Sequence, residues 1–190
     1  MRDANNPYTS KTLILERDCE GLLIPHGHPL CLNQGSCVRI VQALGDNFSV
    51  EVQGNLVLIL GEDRDALGLP VESTEAHAIL TDPNASLDEK CWHQMRRCYD
   101  PEIPVNIVEL GLIYHCQTMP SDEVEGKFSV HVTMTLTAPA CGMGPILVEE
   151  IKRKIMTLTD VIKVDVELVF EPPWSKDMMT TAAKLALGMM

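Results

Sequence analysis

The stretch 128–136 constrains this chain more than any other. Phe128, Val130, Val132, Met134 and Leu136 alternate without a break with Ser129, His131, Thr133 and Thr135. A period of two sorts apolar and polar side chains onto opposite faces, the pattern of a strand lying over a core. Gly142, Gly144 and Pro145 follow, and then Leu147, Ile151, Ile155 and Leu158 at helical spacing. Ile162, Val164, Val166, Leu168 and Phe170 return to a period of two. Upstream, Ser86 reads as an N-cap with Asp88 and Glu89 in the first turn, and Leu87, Cys91, Met95 and Cys98 share one helical face. That helix must stop before Pro101, because the residue ahead of a proline disfavours helical backbone. Residues 112–118 read as a strand and 120–126 as an acidic turn. The order helix, strand, strand, helix, strand predicts an α+β fold, an α-β-β-α-β two-layer sandwich with its helices against one sheet.

The first half is of a different kind. Val38 and Ile40 alternate with polar residues, and Phe48, Val50 and Val52 do so again after Gly45-Asp46-Asn47, a hairpin turn signal. Residues 56–60 are wholly apolar and short enough for a buried strand, and they follow the turn Gly54-Asn55. Residues 63–69 suit a single helical turn. The expected organisation is a small all-β domain over 1–70 and a proline-punctuated linker over 71–85. The α+β domain then spans 86–175, and a C-terminal helical tail rich in methionine spans 176–190.

At 190 residues the chain is long enough to bury a real core. Its charge narrows the partners. Asp and Glu number 27 against 15 Lys and Arg, a formal charge of -12. The excess holds in both parts, 12 against 5 over 1–85 and 15 against 10 over 86–190. A nucleic-acid backbone or an anionic membrane is a poor partner for such a chain. No uncharged apolar run approaches the roughly 18–20 residues of a membrane span. Residues 1–10 are polar and include Asp3, unlike a secretory leader. A cytoplasmic protein with reduced thiols is expected, and its cysteines number seven, so they cannot all pair within one chain.

Which thiol does chemistry is a question of position. Cys141 lies in Thr137-Ala138-Pro139-Ala140-Cys141-Gly142-Met143-Gly144-Pro145, between the expected end of a strand and the expected start of a helix. Ahead of a helix N-terminus the positive end of the dipole favours the thiolate, the form that binds soft metals or attacks as a nucleophile. Asp100-Pro101-Glu102-Ile103-Pro104 sets two carboxylates on proline-stiffened backbone, suited to metal binding or proton transfer, or else to a solvated helix-stop loop. His26, His28 and Cys31 offer zinc-type ligands, but no second ligand pair accompanies them and prolines bound the stretch, so a turn is favoured. Cys91 and Cys98 share a helical face, yet seven residues of helix set them about 10.5 Å apart, beyond disulfide reach. They read as core. Cys19, Cys37 and Cys116 lie in or near strands with no activating neighbour. His131 sits on the polar strand face with Thr133 and Thr135, and is expected to be exposed; His77 and His93 have no nameable partner. No C-x-x-C and no glycine-rich phosphate loop occurs.

The run Asp100-Pro101-Glu102-Ile103-Pro104-Val105-Asn106-Ile107-Val108-Glu109-Leu110-Gly111-Leu112-Ile113 resembles the opening signature of the small metal–sulfur cluster biosynthesis domain, which also occurs in the phenylacetate-degradation protein PaaD. The stretch 137–144 resembles its second signature, whose cysteine corresponds to Cys141. Pro172-Pro173-Trp174, Met178-Met179 and Leu185-Ala186-Leu187-Gly188 resemble the family's tail. Leu23-Ile24-Pro25, Gly35, Gln42-Ala43-Leu44-Gly45 and Asp65-Ala66-Leu67-Gly68-Leu69 are similar to the small β domain of the SufT branch.

That resemblance implies an iron–sulfur cluster maturation factor, an assembly or carrier protein rather than an enzyme. It would bind iron or a cluster transiently through the metal ligand Cys141, with Asp100, Glu102 and Thr137 as site-shaping residues or further ligands. One thiol is too few for a stable cluster, so the remaining ligands would come from a second subunit in a homodimer, from a client apo-protein or from small thiols. The Fe–S assembly machinery would be the other partner. Two other readings stay open: a thiol-dependent enzyme with Cys141 as nucleophile and Asp100 or Glu102 as acid/base, and a non-metal interaction module working through the Met-rich tail.

Overall fold

Two tight turns organise the first part of the chain. In the computed structural model, which describes residues 8–70, 78–138 and 142–189, the chain divides into two compact units, Met1–Ser73 and Thr74–Met190. The first unit holds β1 (Thr12–Ile14), β2 (Cys19–Leu23), β3 (Pro29–Leu32), β4 (Cys37–Leu44), β5 (Asn47–Val52) and β6 (Asn55–Ile59). They form one antiparallel sheet in the order β1-β4-β5-β6-β2-β3. Leu44 pairs with Asn47 and Val52 with Asn55, so each connection has only two residues. Gln53 and Gly54 both take positive φ, 50° and 80°, the backbone whose twist matches that of the flanking strands.

The meander β4-β5-β6 is the one that alternation and turn residues predict. The second turn falls at Gln53-Gly54 rather than Gly54-Asn55. Ile40, Val50, Val57 and Ile59 are fully buried, joined by Phe48, Leu15 and Leu67. A 3-10 helix over Gly61–Leu67 supplies the expected helical turn and ends at Gly68 in the left-handed region. Strands β1, β2 and β3 were not read from the sequence. They have three, five and four residues, too few to set a period, and β3 opens on a proline at the sheet edge. The stretch with His26 and His28 is the tip of the β2–β3 hairpin, where the Leu23 amide donates to the His28 carbonyl.

The second unit holds α1 (Ala78–Thr81), α2 (Leu87–Met95), β7 (Ile113–Pro120), β8 (Phe128–Met134), α3 (Gly144–Met156), β9 (Val161–Leu168) and α4 (Thr181–Ala186). The molecule is mixed α+β, as expected. Ser86 caps α2 through a reciprocal capping box with Glu89. The order in the second sheet is β7-β8-β9. β7 pairs antiparallel with β8, whereas β8 and β9 run parallel and are joined through α3. Helices α2 and α3 pack on each other, α2 also on β7 and α3 on β9. Cys91, Met95, Cys98, Val132, Met134, Ile151 and Ile155 are fully buried between them. Helix α2 ends five residues short of Asp100, and Cys98 joins the core from the loop beyond it.

Three details depart from the alternation. Thr135 belongs to the interior at 1% exposure, and its hydroxyl has no hydrogen-bond partner among the described residues. Phe170 lies past the end of β9 and is exposed. His131 is half-buried, its Nδ1 3.1 Å from Asp165 and its Nε2 3.6 Å from Glu167 on the neighbouring strand.

Two charged side chains lie inside this core. The Lys154 ammonium contacts the Glu150 carboxylate at 3.0 Å and donates to the Arg97 carbonyl at 2.6 Å, which ties the end of α2 to α3. Both residues are below 5% exposed. Glu150→Ala leaves the buried ammonium without this carboxylate, and chemical denaturation should show a loss of about 3–5 kcal/mol. The double change Glu150→Leu/Lys154→Met should recover most of it. At the other end of the unit, Gly111 sits at φ +73°, where an added Cβ would collide with the Met178 carbonyl. Gly111→Ala should cost about 1–3 kcal/mol from the backbone alone, and limited proteolysis should cut the segment after residue 170 faster.

Candidate functional site

The loop that follows α2 is built around Asp100. An isolated antiparallel bridge between Tyr99 and Asn106 closes it, and the Ile107 amide donates to the Cys98 carbonyl at 3.0 Å. Inside the loop the Asp100 carboxylate accepts the Glu102 amide at 2.9 Å, and the Ile103 amide donates to the Asp100 carbonyl at 3.1 Å. The aspartate thereby folds its own turn. It is also buried, at 5% exposure, and desolvation pushes its carboxyl above the ordinary range. Glu102, two residues on, is exposed. The two carboxylates that look equivalent in sequence therefore face different surroundings.

Asn106 organises the next turn. Its side-chain oxygen accepts the Val108 and Glu109 amides at 3.1 and 2.9 Å. Gly111 then reverses the chain, and the Thr135 amide donates to the Leu112 carbonyl at 2.9 Å. The loop is thus bonded to the far end of β8.

Thr137 lies just beyond that end and is half-buried. Asp100 and Glu102 come together on one loop. No hydrogen bond or ion pair joins Thr137 to either of them among the described residues. Cys141 lies outside the described residues. The start of α3 beyond it is closely packed. Gly144 packs so closely on Leu136 that a Cβ there would lie 2.7 Å from the leucine side chain. Met143 is buried and N-caps α3, with Gly144 first in the helix and Pro145 second. Among the described residues no three His, Cys, Asp or Glu side chains gather as a metal-ion site.

The remaining thiols are sorted by burial. Cys91 and Cys98 are fully buried, Cys19 is nearly so, and Cys31 and Cys37 are exposed on the sheet of the first unit. Cys116, on β7, is partly buried and packs on the core that contains Cys91. The neighbouring Cys116 and burial both push the Cys91 thiol up. Sequence spacing did not reveal this pair, because its members stand on a helix and a strand that meet only in the fold.

A second missed feature clamps the signature loop from the C-terminal side. The Trp174 indole donates to the Leu110 carbonyl at 2.9 Å, and the Tyr114 hydroxyl to the Pro172 carbonyl at 2.7 Å. Thr180 donates to Glu109 through both its amide and its hydroxyl. Only Thr180 had a local signal, as a threonine ahead of Thr181-Ala182-Ala183-Lys184, the residue type that N-caps a helix.

Comparison with known proteins gives this loop and turn a context. The family described as iron–sulfur cluster assembly protein matches residues 89–167, a span inside the second unit that includes Asp100, Glu102, Thr137 and Cys141. An Fe-S protein maturation auxiliary factor of Porphyromonas gingivalis is 43% identical over 101 residues, covering 53% of this chain and 90% of that protein. The Fe-S protein maturation auxiliary factor YitW of Bacillus subtilis is 39% identical over 103 residues, 54% of this chain and 95% of the other. The corresponding factor SufT of Staphylococcus aureus is 38% identical over 89 residues, 47% and 94%. Each relative is matched over nearly its whole length, and the chain belongs to the iron–sulfur cluster assembly family, as a protein of the SufT type.

Proposed function

We propose that this chain is a maturation factor that helps assemble iron–sulfur clusters or pass them to client proteins, with the Cys141 thiolate as its ligand to the cargo. The observation that carries the reading is the family match over 89–167, which takes in both the Asp100 loop and Cys141. The fates of the other thiols in that span support it. Cys91 and Cys98 are core residues, and Cys116 is partly buried against the same core. In the sequence Cys141 precedes α3 by three residues, in the glycine-containing stretch that leaves β8. A thiolate is favoured ahead of a helix N-terminus, and iron–sulfur clusters take thiolate ligands.

One such ligand holds a cluster weakly. The others come from a second copy of the chain, from the client or from small thiols, and a weakly held cluster is one that can be handed on. In this reading 86–175 is the cluster-handling domain, 71–85 a linker and 176–190 a tail that braces the Asp100 loop. The small all-β domain precedes them over 1–70. Asp100, Glu102 and Thr137 shape the surroundings of Cys141, and the protein works in the reducing cytoplasm.

Anaerobic reconstitution with iron and sulfide, followed by visible absorbance, checks the ligand. Wild type should take up the cluster, and Cys141→Ala should keep only a small fraction of the absorbance. Equal uptake by both proteins contradicts the assignment.

The buried carboxyl makes a separate prediction about pH. Because Asp100 titrates above its ordinary value when folded, the folded state keeps a proton that the unfolded chain has already lost. Its contribution therefore favours folding in acid and is lost as pH rises from the ordinary carboxylate value to the raised one. Asp100→Asn retains an acceptor for the Glu102 amide and removes that dependence. Urea unfolding in acid and in neutral buffer should show the variant at least as stable as wild type at neutral pH, with a flatter pH response.

A further inference from the structure

Strand β9 stands at the edge of its sheet, with β8 on one side only. Successive residues of a strand turn their amides and carbonyls to opposite sides. The Val169 amide donates to the Met134 carbonyl beyond the end of β9, so counting back by two places Glu167, Asp165 and Lys163 on the β8 side. The backbone groups of Val164, Val166 and Leu168 face the other way, and no hydrogen bond reaches them among the described residues. Proteins usually guard such an edge with a proline, a bulge or a covering segment. β7, the opposite edge, has a register shift between Ile113 and His115 and ends on Pro120. β9 contains no proline, and its one irregularity of register lies at its beginning, beside Phe128 and Ser129. From Lys163 to Leu168 it is a regular strand with an unused row of donors and acceptors. Its side chains are sorted as well. Lys163, Asp165 and Glu167 are exposed on one face, and Val164, Val166 and Leu168 pack against the core on the other. Lys163 makes no hydrogen bond or ion pair among the described residues.

We infer that β9 pairs antiparallel with β9 of a second copy of the chain, about Val164, to make one six-stranded sheet. The charges choose the register. Two chains of formal charge -12 repel at long range, so close approach needs opposite charges facing each other at the joint. Residues directly opposite in an antiparallel pair share a face. Pairing about Val164 sets Lys163 opposite the partner's Asp165 and Asp165 opposite the partner's Lys163, with no like charges in opposition. Pairing about Lys163 sets the two Lys163 side chains against each other, and pairing about Asp165 the two Asp165. Pairing about Val166 sets Asp165 against Glu167. Val164 also faces outward, so its amide and carbonyl meet those of its counterpart in a hydrogen-bonded pair. On the core face Val164 meets Val164, and Ile162 lies opposite Val166. The Asp165 carboxylate, 3.1 Å from the His131 imidazole, gains the partner's ammonium as a second neighbour. Leu168 pairs with Met134 at the end of β8. At a rise of about 3.3 Å per residue the two copies' Leu168 lie about 26 Å apart along the joint, which keeps the two β8 ends at opposite ends of the sheet. The interface does not rest on the role proposed for Cys141.

The test follows the full chain by sedimentation velocity over a wide range of concentration, with native mass spectrometry to count chains. Wild type should pass from one chain to two as concentration rises, and Cys141→Ala should do the same. Lys163→Asp and Asp165→Lys each turn two opposite-charge pairs into two like-charge pairs, and each alone should weaken self-association by roughly tenfold or more. Mixed in equal amounts, the two variants restore an opposite pair at both places. The mixture should therefore form a dimer with one chain of each kind, about as tightly as wild type pairs with itself. Both positions are exposed, and circular dichroism should show the fold unchanged. The proposal is overturned if wild type stays a single chain at every concentration, if either variant alone associates as wild type does, or if the mixture fails to pair. Cluster uptake by Lys163→Asp is a separate readout, so a failure of this interface and a failure of the Cys141 assignment are distinguishable.

Discussion

The parallel pairing of β8 with β9 is the constraint from which the rest of the second unit follows. Antiparallel neighbours can be joined by a tight turn, as β4, β5 and β6 are, but a parallel neighbour demands that the chain travel back over the sheet before it pairs. Helix α3 makes that journey, and its apolar stripe of Leu147, Ile151 and Ile155 closes the core over Val132 and Met134. A strand-to-helix connection at the end of β8 is then unavoidable, and in sequence it is the connection that contains Cys141. The same end of β8 receives the Asp100 loop through the Thr135–Leu112 hydrogen bond. The Asp100 loop and the described residues 135–138 that lead out of β8 thus share one end of the sheet.

Periodic features were legible because long elements repeat their signal. The alternation in β8, the stripes of α2 and α3 and the Ser86 cap each state their structure within a few residues. Features that depend on which element meets which were not. Thr135 reads as a polar-face residue in sequence, but β8 ends at Met134, and beyond it Thr135 is buried with its amide bonded to the Leu112 carbonyl. The Glu150–Lys154 pair looks like an ordinary surface i, i+4 pair until Arg97 is brought onto it. Cys91 and Cys116 stand far apart in the chain and carry no spacing motif. Strands β1 to β3 were too short for a period of two to register.

For the candidate site the balance was similar. Asp100 and Glu102 were recognisable as a pair, but their division into a buried carboxyl that folds its own loop and an exposed one is a product of tertiary packing. The bracing of that loop by Trp174, Tyr114 and Thr180 could not have been read from residues on either side of the fold alone. It explains why a glycine stands at 111: the C-terminal segment passes so close that a side chain has no room.

Thiol scarcity is the physical reason for reading the protein as one that hands clusters on. The most direct measurement loads wild type with a cluster anaerobically, adds an apo-protein that needs one, and follows the recipient's activity as it gains the cluster. The account predicts that the recipient is activated faster than by free iron and sulfide, and that Cys141→Ala treated in the same way gives no such gain. A loaded protein that keeps its cluster in the presence of the recipient, or a Cys141→Ala protein that transfers as fast as wild type, would contradict it.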